Sequence, residues 1–74
     1  MDYRKELLIK SAARLYSLGI EVDAAKERLR TLVDEGVGYE DPKMLQALND
    51  YMELKKQWET LERNYIDLRK EVES

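Results

Sequence analysis

From Met44 onward the apolar residues fall alternately three and four positions apart: Met44, Ala47, Tyr51, Leu54, Trp58, Leu61, Tyr65, Leu68 and Val72. This is the a/d register of a heptad repeat, held without a miss, and it predicts a helix over about 42–72. Aromatic residues take three successive a positions (Tyr51, Trp58, Tyr65), with Leu54, Leu61 and Leu68 at d. The start is well marked. Asp41 is a good N-cap, and Pro42 sits at the first helical position, where its missing N–H costs nothing.

Upstream, Leu8, Ala12 and Leu15 form one stripe with Ile9, Ala13 and Tyr16 beside it, predicting a helix over about 3–18. Val22, Ala25, Leu29 and Leu32, with Val33 alongside, predict another over about 22–35, with Lys26, Glu27, Arg30 and Asp34 facing solvent. Gly19 and Gly36 follow these two patterns as helix stops, each with an apolar residue next (Ile20, Val37). A Schellman closure would then bring Ile20 onto Leu15 and Val37 onto Leu32. The start of the second helix is open between Glu21 and Asp23. No stretch alternates long enough to predict a strand. The expectation is an all-α chain of three helices, a short bundle with a long coiled-coil-like C-terminal helix, forming one domain over 1–74.

The width of the last helix's face bears on association. Leu45, Leu48 and Met52 broaden it at first, whereas beyond Lys55 only Ile66 lies outside the seam. A wide face suits a globular core and a narrow seam suits a coiled-coil partner. The pattern therefore predicts an interface with another chain at Tyr51, Leu54, Trp58, Leu61, Tyr65, Leu68 and Val72, with residues 55–74 free to project. In the alternative, the first two helices lie end to end along the third and cover its seam within one chain, so that the aromatic stripe is ordinary core and the protein is a monomer. Aromatic a positions are bulky for a parallel two-stranded coil, which favours an antiparallel pairing or a bundle of four or more helices. The e and g charges do not select among these geometries.

Size sharpens the case for association. A chain of 74 residues is one domain at most. At that length, folding hides only ~60% of the unfolded surface. Small scaffolds usually add a disulfide, a metal or a partner. Cys and His are both absent, which leaves oligomerisation as the available staple. A homo-oligomer is expected, a dimer favoured, or pairing with another helical protein. The longest apolar run is Leu7-Leu8-Ile9, far below the ~18 residues of a membrane span, so a cytoplasmic, non-membrane protein is expected.

Net charge is −3, unevenly spread: +2 over residues 1–20, −4 over 21–41 and −1 beyond. Arg4, Lys5, Lys10 and Arg14 form a basic patch near the N-terminus, the basis of an alternative reading as a nucleic-acid-associated regulator. The acidic balance and the lack of a dense basic stripe disfavour it.

Catalytic equipment is sparse. Ser11, Ser17 and Ser74 have no base in prospect, and carboxylates such as Glu59 and Glu62 have the spacing of a solvated helix face. Gly36 and Gly38 fit neither dinucleotide nor P-loop spacing. No enzymatic activity, cofactor, metal site or small-molecule substrate is expected.

The segment Asp41-Pro42-Lys43-Met44-Leu45 looks similar to the lead-in of the second helix in the short hairpins that dephosphorylate sporulation response regulators. That family then has Ser-Gln-x-x-Asp, where this chain reads Leu48-Asn49-Asp50-Tyr51-Met52. The functional Ser, Gln and final Asp are missing, so membership does not follow. The reading that remains is a self-associating helical module, acting as a structural or regulatory protein–protein adaptor.

Overall fold

The computed structural model describes residues 3–73, and two helices account for nearly all of them. Helix α1 runs Tyr3–Asp34 and α2 runs Pro42–Glu73, 32 residues each. They pack side by side, antiparallel, as a rod measuring 53 × 14 × 14 Å. That length matches one 32-residue helix, about 48 Å at 1.5 Å per residue. Ser74, one of the serines weighed in the sequence, and the first two residues of the predicted 1–74 domain lie outside the described residues.

The all-α expectation holds, but the helix count is corrected from three to two: the segments read as separate helices over 3–18 and 22–35 are one. Gly19 is not a stop. The only glycine with positive φ among the described residues is Gly36, at 80°, and Ile20 is an exposed residue of a continuing helix. The physical reason lies in the register. Leu8, Leu15, Val22 and Leu29 occupy a positions, and Ser11, Leu18, Ala25 and Leu32 occupy d positions, without a shift at Gly19. All eight are buried or half-buried against α2. A glycine inside a helix costs only ~1 kcal/mol relative to alanine, which continued seam burial offsets.

What Gly19 provides is room. A Cβ there would lie 3.3 Å from Nε1 and 3.8 Å from Cδ1 of Trp58. The indole therefore lies on backbone that a side chain would cover. Trp58 is thus a partner of the same chain, seated at the middle of both helices.

The other two punctuation signals act as expected. Gly36 N–H donates to the Val33 carbonyl and Val37 N–H to that of Leu32, each at 3.0 Å. This is the Schellman pair that closes α1. Asp41 Oδ1 accepts from the Lys43 N–H at 2.9 Å, and the Asp41 carbonyl accepts from Leu45 N–H at 3.1 Å. Asp41 thereby caps α2 and Pro42 begins it.

Candidate interaction surface

A hairpin of two helices can cover its seam from one direction only. Among the described residues only Leu18, Met44 and Ala47 are buried, at 8%, 2% and 1% exposure. From Leu8 to Leu32 of α1 and throughout α2, every other a and d residue is half-buried.

In an antiparallel pair the e positions of both helices border one side of the seam and the g positions border the other. The two sides of this rod differ in chemistry. On the g side, Arg28 of α1 meets Asp50 of α2 at 3.7 Å, and Gln46 Nε2 donates to Asp50 Oδ1 at 2.9 Å. Arg14, Glu53, Lys56, Gln57, Thr60 and Asn64 continue that polar border. Both members of the Arg28–Asp50 pair remain well exposed, so it stabilises by at most ~1 kcal/mol and marks orientation more than strength.

The e side carries most of the exposed apolar residues, interspersed with charges such as Lys26, Lys55 and Glu62. Ile9, Tyr16 and Val33 of α1 and Leu45, Met52 and Ile66 of α2 occupy its e and b positions, each exposed by 44–74%. Ile20 lies next to them at 54%. A groove on this side is lined by Ala12, Tyr16, Gly19 and Ile20 from α1 and by Tyr51, Trp58 and Tyr65 from α2. Lys55 stands at its rim with Nζ 5.9 Å from the centre of the Tyr51 ring, a cation–π contact. Of the large exposed apolar residues, only Tyr3 and the loop residue Tyr39 lie elsewhere.

The residues that the sequence marks as a partner interface are placed as follows. Tyr51, Trp58 and Tyr65 line the groove, which Asp23 and Lys55 also border. Leu54 and Leu61 face the polar side. Leu68 and Val72 are half-buried in the last turns of α2. Residues 55–73 lie alongside the first half of α1, as the Trp58–Gly19 contact and the shared groove with Ala12 require. What the heptad reading missed is the flank: Ile9, Tyr16, Ile20 and Val33 converge with Leu45, Met52 and Ile66 only once α1 is continuous and antiparallel to α2. The basic residues Arg4, Lys5, Lys10 and Arg14 are all exposed on the first turns of α1, but Lys5 is on the apolar flank while Lys10 and Arg14 are on the polar one.

Among the described residues, no group of three acidic or other metal-ligating side chains is placed to hold an ion, and no helix is long and apolar enough to cross a membrane. No protein-family model, curated protein or solved structure matches this chain.

Proposed function

We propose that the chain is a non-enzymatic helical interaction module that self-associates through the apolar side of its hairpin and acts as a structural or regulatory protein–protein adaptor. The observation that carries this reading is the asymmetry of the rod: of the nine large apolar residues that are exposed among those described, seven lie on the e side. Large apolar side chains exposed together on one side of a highly charged surface mark an interaction site. Tyr16, Tyr51, Trp58 and Tyr65 supply the residue types that dominate interface energetics.

The earlier expectation placed the interface on the α2 seam itself. With α1 along that seam, the reading moves to its open edge, where the same aromatics present their remaining surface. The test is a pair of charge insertions. Tyr16→Glu with Met52→Glu changes two side chains already exposed in the single hairpin, so helicity by circular dichroism is retained while the mass in solution falls to that of one chain. Thr60→Glu, on the polar side, leaves the assembly intact. If the apolar-side variant keeps the wild-type mass, the proposed surface is wrong.

A further inference from the structure

Resting on that reading, we infer that the occupant of the apolar side is a second copy of this chain, packed antiparallel so that each loop end lies against the other hairpin's open end. Three observations carry the inference.

The first is surface area. The chain exposes 6054 Å², whereas a folded chain of 8.8 kDa typically exposes about 4,800 Å². The excess, roughly 1,300 Å², is more than the ~800 Å² each partner contributes to a standard interface. Two such hairpins closing into a body of ordinary compactness would hide up to about 4,200 Å² in total, inside the ~2,000–5,000 Å² range of obligate homodimers.

The second is charge. At the e and b positions, the half nearer the loop carries Lys26, Arg30 and Lys55 against Asp23, a positive balance. The half nearer the chain ends carries Glu59, Glu62 and Glu73 against Lys5 and Arg69, a negative one. A two-fold axis along the rod would set like halves together. A two-fold axis across the rod sets the positive half of each copy on the negative half of the other, and complementary potentials select register.

The third is the position of the anchor. The midpoint of α1 falls between Leu18 and Gly19 and that of α2 between Gln57 and Trp58. A two-fold axis across the middle therefore passes beside the indole and stacks the two α2 helices in opposite directions. Residues equally far from the midpoint then meet. Ile66 falls between Leu48 and Met52 of the copy, Tyr65 opposite Tyr51, and Glu59 beside Lys55. On α1, Tyr16 falls against Ile20. These contacts are isologous, each made twice, as closed two-fold symmetry demands.

The experiment is a spin-label distance measurement. The chain has no cysteine, so Tyr39→Cys in the loop, 81% exposed in the parent, gives a single labelling site. Dipolar spectroscopy on that variant, with its mass measured in parallel, separates the outcomes. An antiparallel dimer places the two labels near opposite ends of the rod, about 45–50 Å apart. A dimer mass with labels within about 25 Å overturns the antiparallel arrangement while leaving self-association intact. A single-chain mass with no dipolar coupling overturns both. Lys55→Glu with Glu59→Lys retains charge complementarity across the axis, whereas Lys55→Glu alone raises the dissociation constant by about tenfold. An unchanged constant in that single variant also rejects the arrangement.

Discussion

Replacing Gly19 by alanine sets two effects of similar size against each other, and their balance reports whether Trp58 lies on α1. Alanine is favoured over glycine in a helix interior by about 0.8–1.0 kcal/mol. At Gly19, however, the new methyl would stand 3.3 Å from Trp58 Nε1, inside the ~3.5–4.0 Å of favourable heavy-atom contact. The indole must withdraw by a few tenths of an ångström, loosening the centre of the hairpin, and overpacking of this kind costs roughly 1–3 kcal/mol. Gly19→Ala alone should therefore be neutral or destabilising by ~1–2 kcal/mol. With Trp58→Leu in the background the obstruction is gone, and Gly19→Ala should stabilise by about 1 kcal/mol. The coupling between the sites is then at least ~1 kcal/mol, within the range seen for residues in contact. Urea denaturation followed by circular dichroism measures it. All four proteins are compared at one chain concentration, because association contributes to apparent stability. Equal stabilisation by Gly19→Ala in both backgrounds would refute the placement of Trp58 on Gly19.

The two helix ends make further predictions. Asp41→Ala removes the acceptor for the Lys43 N–H and should lower stability by about 1 kcal/mol, with Asp41→Asn recovering most of it; equal melting of all three proteins would reject the cap. Gly36→Val should cost about 1–2 kcal/mol through backbone conformation alone, since nothing lies within 4 Å of a Cβ there and the penalty comes from the φ of 80°. Gly36→Asn, which tolerates that region, should melt closer to the parent; a valine variant as stable as the parent would mean the closure is not formed.

The elements that could be read from the sequence are those set by local chemistry. Asp41-Pro42 announces a helix start through a side-chain acceptor and a missing N–H, and both are used. Gly36 followed by Val37 announces a Schellman closure, and its two hydrogen bonds are made. The a/d register of α2 picked out nine residues, all of them buried or half-buried in the hairpin. Gly19 misled because the same local signal, glycine followed by an apolar residue, has a tertiary cause there: a tryptophan thirty-nine positions later in the chain needs the space. The signal that would have found the single helix was the a/d register itself, which passes from Leu15 and Leu18 to Val22 and Ala25 with no change of phase. Ser11 and Ala25, small or polar at d, obscured it. The apolar flank was not legible for a different reason. Which e and b residues share a side depends on the pairing direction, and a linear pattern does not encode that.

Light scattering behind a sizing column, over a range of chain concentrations, decides whether two hairpins pair. Pairing gives a species of twice 8.8 kDa that persists on dilution into the micromolar range, with the apolar side closed. A species of 8.8 kDa at every concentration would contradict it, leaving the exposed flank of Ile9, Tyr16, Ile20, Met52 and Ile66 open to solvent.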